Sequence, residues 1–188
     1  MGLSCVFANA YPKQFAEVSW RKRPAGPPLA AHGAGLLTRH EEHLARGEAL
    51  SSEIVNTTWR TRLGLPHLPD ITPAEAGRNL AWIAREASLT FFAHYATDTA
   101  GHRRSMPEAV AALERVDAFL GGVIPALLPG TLLLLASDHG NLEDITQGHT
   151  RNPTLGLLMG TGAREVARGL SETMQIPELI LSFLSASY

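Results

Sequence analysis

The stretch from Thr131 to Pro153, TLLLLASDHGNLEDITQGHTRNP, constrains this chain more than any other. Leu132 to Ala136 is an uninterrupted apolar run that stops abruptly at Ser137-Asp138-His139-Gly140. A run this short, set between Gly130 and Gly140, predicts a strand buried on both faces, as in a parallel sheet. Open α/β folds place their ligands at the carboxyl ends of such strands. That end here carries Asp138 and His139, with His149 further along. Asp138-His139 alone matches no short motif with a mechanism, and a loop acid beside a loop imidazole also reads as plain surface chemistry.

A second strand with the same kind of ending stands upstream. Ser88 to His94, SLTFFAH, runs into Tyr95-Ala96-Thr97-Asp98-Thr99-Ala100-Gly101-His102. Two strand ends thus offer five candidate metal ligands: Asp98, His102, Asp138, His139 and His149. Carboxylate oxygen with imidazole nitrogen suits zinc, manganese or iron better than calcium or magnesium, which prefer all-oxygen shells. Five donors exceed what one tetrahedral ion needs. They match a pair of ions on the order of 4 Å apart, the arrangement used for phosphoryl transfer.

The rest of the chain reads as α/β. Leu3 to Ala8 is a short first strand, after which Asn9 is expected to form a turn. Between about residues 20 and 73 the chain is rich in Pro and Gly, which predicts irregular, cap-like backbone. Arg21 and Arg23 in that segment are candidates for clamping an anionic substrate, or form a solvated charge run. His40 and His43 read as part of an exposed helix face. Thr72-Pro73-Ala74-Glu75 and Ser105-Met106-Pro107-Glu108 are helix starts of the capping-box type. After the second, Val110, Leu113, Val116, Leu120, Val123, Ile124 and Leu127 predict a core-facing stripe. Strand 88–94, that helix and strand 131–136 then form a right-handed βαβ unit. Thr154 to Met159 is a further strand, and Ile176 to Leu184 a closing helix.

A formal net charge of -2 gives no electrostatic footprint for nucleic acid or an anionic membrane. No apolar stretch approaches the ~20 residues of a membrane span, and the N-terminus is a poor secretion signal. These features point to a cytoplasmic protein. The single cysteine, Cys5, excludes an internal disulfide and is expected to pack in the core.

SDHGNLED followed by HTRNP resembles the metal-binding segment of cofactor-independent phosphoglycerate mutases and of the wider alkaline phosphatase superfamily. TDTAGH resembles that family's upstream ligand loop, in the same order along the chain. The resemblance implies a mostly parallel sheet flanked by helices, N-terminally incomplete in this chain. It implies two divalent ions, manganese or zinc, the first held by Asp98, His102 and His149 and the second by Asp138 and His139. With only two ligands, the second ion is expected to bind weakly. Asn141 and Glu143 are expected either to accept hydrogen bonds from the ligand imidazoles or to cap the loop, and Thr97 and Thr150 to support the ligands similarly.

The family's first-strand Asp ligand and Ser/Thr nucleophile have no counterpart here, since no Asp precedes Asp70 and neither Ser4 nor Ser19 has the right setting. The expected substrate is a small phosphorylated or related anionic ester. The short stretch before Ser88 favours hydrolysis over the mutase reaction, whose enzymes carry a large inserted domain. Two alternatives stand beside this reading: a catalytically inactive metal-binding or assembly module, and a mutase-like isomerase. An exposed sheet edge makes a homodimer possible.

Overall fold

The computed structural model describes residues 2–15 and 25–186. The described chain has two compact units: residues up to Thr97 with Val110–Ala126, and Asp98–Ala109 with the residues from Leu127 onward.

In the first unit, strand β1 (Cys5–Phe7) pairs in parallel with β2 (Leu89–Phe91), Val6 lying opposite Thr90. The chain beyond β1 stays extended. Ala8 donates to Phe91, and Leu50 adds a parallel bridge to Asn9 on the other side. Asn9 does not make the expected turn. It is fully buried, donating through Nδ2 to the Ala93 carbonyl (2.7 Å) and accepting the Ala93 N–H at Oδ1 (2.8 Å). Its carboxamide replaces one rung of the ladder, which keeps the parallel strands together past their last backbone pair.

Where Pro and Gly density predicted irregular backbone, three short helices stand: α1 (Gly26–Gly33), α2 (Glu41–Ala45) and α3 (Thr57–Thr61). Leu44, Ala49, Trp59 and Leu68 from this region pack with Ala10 into one core cluster, while Phe7, Ala31 and Ala93 form another. His40 and His43 are half-buried rather than exposed. The His40 N–H donates to His43 Nδ1, and the His40 ring pairs with the Tyr11 carbonyl at 2.8 Å. Cys5 lies at the outer end of β1 and is exposed, not packed in the core.

Helix α4 (Pro73–Ile83) begins with the expected capping box: Thr72 Oγ1 accepts the Glu75 N–H and Glu75 reaches back to the Thr72 N–H at 2.7 Å. The long helix α6 (Met106–Val123) buries a face that shares Val123 with the predicted stripe but is otherwise shifted toward smaller residues. Ala109, Ala112, Phe119 and Val123 are buried, whereas Val110 and Leu113 are about half exposed. The reason is backbone contact. A side chain at Gly122 would strike the Ala74 carbonyl, and one at Gly77 the Phe119 carbonyl. Two helices this close need small residues at the crossing, so glycine and alanine select the face.

In the second unit, β3 (Leu132–Ala136) pairs antiparallel with β4 (Gly156–Gly160), Leu134 opposite Leu158. A mostly parallel sheet is not shown among the described residues. The fold is mixed α/β, with one small parallel and one small antiparallel ladder among the described residues. Nor is β3 buried on both faces: Leu132 to Leu135 are half-buried and Ala136 is exposed. An unbroken apolar run reports that both faces are apolar, not the direction of the neighbour. Direction is set by the connection. A parallel return needs a crossover, usually helical, whereas residues 137–155 contain only a 3₁₀ turn at Leu142–Asp144 and double back. Helices α7 (Ala163–Gly169) and α8 (Ile176–Ala186) follow.

Candidate metal centre

TDTAGH, read as a loop from the sequence, lies in helix α5 (Ala96–His102). The helical repeat puts Asp98 and His102, four apart, on one face. Arg104 follows in the left-handed region (φ 54°), and Ser105 donates back to the Ala100 carbonyl, closing the helix as glycine usually does.

The other donors come from the segment between β3 and β4, which is stapled to itself. Gly140 and Thr150 form an antiparallel bridge. Across its base Glu143 accepts the Asn141 N–H (2.6 Å), the Asn152 side chain (3.1 Å) and the Thr150 hydroxyl. These bonds, the Thr150 hydroxyl foremost, hold the Glu143 carboxyl below its ordinary range. Ser137 donates to the His139 carbonyl at 2.8 Å. The fold of this segment stacks the His139 and His149 rings, centroids 3.6 Å apart.

Asp98 Oδ1 is the hub. His149 Nε2 lies 3.3 Å from it, His102 Nε2 3.4 Å and His139 Nε2 3.9 Å. His102 and His149 bring their Nε2 atoms to 3.0 Å of each other. Asp98, His139 and His149 form a group with metal-binding spacing, all donor atoms within 4.8 Å. A tetrahedral ion bonded at about 2.0–2.1 Å to N and O ligands holds neighbouring donors about 3.3 Å apart. The Asp98–His102–His149 triangle has edges of 3.0, 3.3 and 3.4 Å, so these donors fit one ion. Asp138 is different. Among the described residues its carboxylate reaches only His139, at 3.5 Å, and its side chain is 88% exposed.

The supporting residues act differently from expectation. Asn141 does not accept from an imidazole; its Nδ2 donates to Asp98 Oδ1 at 2.6 Å and to the Asp98 carbonyl at 3.3 Å. Glu143 is spent on the staple described above, and Thr150 is one of its partners. The reason is reach: both side chains turn into the base of the segment. Thr97 is half-buried in the first turn of α5. Arg21 and Arg23 lie outside the described residues. His40 and His43 belong to no metal-capable group among the described residues. Sequence reasoning missed Gly101, beside which Asn141 packs, although a glycine between two ligands of one helix was the available signal.

A family model described as the metalloenzyme superfamily matches residues 78–187, more than half of the chain. The chain belongs to the metalloenzyme superfamily. The family's fold is alkaline-phosphatase-like, and membership implies divalent metal ions, in keeping with the donor set. Among curated proteins, this metalloenzyme chain is 48% identical over 65 residues to a phosphopentomutase of Methylobacterium sp. (strain 4-46), covering 34% of this chain and 16% of that protein. It is 33% identical over 97 residues to a 2,3-bisphosphoglycerate-independent phosphoglycerate mutase of Rhodopseudomonas palustris, covering 43% and 19%. A third relative, the corresponding mutase of Chloroflexus aurantiacus, is 39% identical over 72 residues, covering 34% and 13%. The chain therefore spans less than a fifth of the length of these relatives. No solved structure matches. No helix among the described residues is long and apolar enough to cross a membrane.

Proposed function

We propose that this chain carries the metal-binding part of a phosphoryl-transfer centre that hydrolyses a small phosphorylated substrate. The observation behind it is the near-equilateral triangle of Asp98 Oδ1, His102 Nε2 and His149 Nε2. Three protein ligands with a position left open is the usual catalytic count. Zinc or manganese held there supplies Lewis-acid stabilisation for a phosphoryl group's oxygens. The chain's own residues do the rest. Asp98 contributes the negative charge, and the two imidazoles, ligating as neutral rings, leave net positive charge facing an anionic ester. The half-exposed side chains of His102 and His149 leave that face open to substrate and water. Asp138 and His139 offer a weaker second ion only two ligands.

A mutase-like reading draws on the names of the relatives, and product analysis separates the two: inorganic phosphate released to water against an isomeric phosphoester retained. The test of the common premise is metal retention. The purified chain, incubated with zinc or manganese and dialysed, should keep about one ion per chain. Phosphate release from an aryl phosphate, with water as the attacking group in place of the family's Ser/Thr nucleophile, should then track metal content. A chain that retains neither metal overturns the reading, and one that retains metal without any turnover supports the inactive binding module instead.

A further inference from the structure

Asn141 is buried, only 5% exposed, yet its Oδ1 has no hydrogen-bond partner among the described residues. A half-satisfied buried carboxamide is costly. Its other half holds Asp98 twice, by the carboxylate Oδ1 at 2.6 Å and by the backbone carbonyl at 3.3 Å. Asn141 itself is fixed, its N–H donating to Glu143 at 2.6 Å. Room for the carboxamide exists only because position 101 is glycine: a methyl there would overlap it. Gly101 lies three residues after Asp98 in α5, on the same face.

We propose that Asn141, seated in the gap left by Gly101, is a positioning residue that pins Asp98 Oδ1 in its metal-ligating orientation. The inference rests on the metal-centre reading above. Asp98 stands on an open helix face, where its carboxylate would otherwise exchange among rotamers. With the Asn141 amide on one lone pair of Oδ1, the other is presented to a single ion, so Asp98 binds through one oxygen and is already aimed before the ion arrives.

The test is the zinc affinity of the purified chain, by competition with a chromogenic chelator, beside thermal melts of the metal-free chain. Asn141→Leu keeps the branched shape, removes the orphaned oxygen and deletes the donor. It should leave the metal-free chain as stable as before or more so, while zinc binding weakens about 10–100-fold. Gly101→Ala should weaken zinc binding similarly by displacing the carboxamide. In an Asn141→Ala background, which makes space for the methyl, the same Gly101→Ala change should cost less than about threefold. Zinc binding by Asn141→Leu within threefold of the unmodified chain, or strictly additive losses at 101 and 141, would overturn the inference and leave the metal centre standing. No zinc binding by the unmodified chain would overturn both.

Discussion

The strand ends of the two units put the same kinds of residue to opposite uses. At the carboxyl end of β1 and β2, Asn9 and His94 turn to the backbone: Asn9 pairs both ways with Ala93, and His94 Nδ1 pairs with the Ser52 carbonyl at 2.8 Å. In the second unit, Asp98, His102, His139 and His149 turn to one another, with three imidazole Nε2 atoms around one carboxylate oxygen. Polar side chains that complete backbone hydrogen bonds hold a fold together. On the proposed reading, side chains that crowd the same few ångströms around one carboxylate oxygen instead hold a cation between them. The partner, not the residue type or its place at a strand end, separates scaffold from site.

The strongest way to break this contrast is at the hub. Asp98→Ala should lower zinc affinity about 1000-fold, about 4 kcal/mol, in the chelator competition. The metal-free chain should lose only about 1 kcal/mol, because the buried Asn141 Nδ2 keeps the Asp98 carbonyl as a partner. Zinc at 100 times its dissociation constant should stabilise the unmodified chain by about 2.7 kcal/mol and the variant not at all. Retained zinc binding would show that the crowding is not a metal centre. Asn9→Ala should do the reverse. Orphaning the Ala93 N–H and carbonyl beside a fully buried position should cost about 2–4 kcal/mol in chemical denaturation, with zinc affinity unmoved.

The asymmetry also explains what could be read in advance. The candidate donors could be picked out because Asp and His follow apolar runs in two places, and both capping-box helices were legible because their signals are local. Strand direction was not. Leu132–Ala136 looks the same whether its neighbour runs parallel or antiparallel, and the deciding fact is the lack of a crossover helix in residues 137–155. The buried face of α6 was hidden because Gly77 and Gly122, which set it, count for nothing in a search for apolar stripes. Asn141 was singled out, but with the wrong partner, because proximity in sequence to His139 says nothing of the approach made possible by Gly101.

A smaller effect belongs to His94 in the first unit. Desolvation holds its pKa below the ordinary histidine value, the nearby Arg115 adding to this while the Ser52 carbonyl and Glu53 oppose it. The folded chain thus refuses a proton that the unfolded chain accepts below about pH 6.5. This contribution to stability is present above that pH and is lost as pH falls through the folded value. In the metal-free chain, His94→Gln should flatten the acid side of the stability profile by up to about 1.4 kcal/mol per pH unit. An unchanged slope would mean that His94 is protonated as readily folded as unfolded.

The smallest difference lies in the backbone. Among the described residues, each unit holds one non-glycine residue in the left-handed region, Ile54 (φ 72°) in the first and Arg104 (φ 54°) in the second. Ile54 is 1% exposed, so glycine there would relieve strain but empty part of the core, and the loss of packing would prevail. Arg104 is exposed at the end of α5, with nothing comparable to lose. Relief of the Cβ clash outweighs the extra chain entropy that glycine brings to the unfolded state. Arg104→Gly should therefore stabilise the chain by about 0.5–1 kcal/mol in denaturant unfolding and leave zinc affinity within threefold. Destabilisation instead would mean that the arginine side chain anchors the end of α5, and that the second unit, like the first, accepts backbone strain in return for a packed side chain.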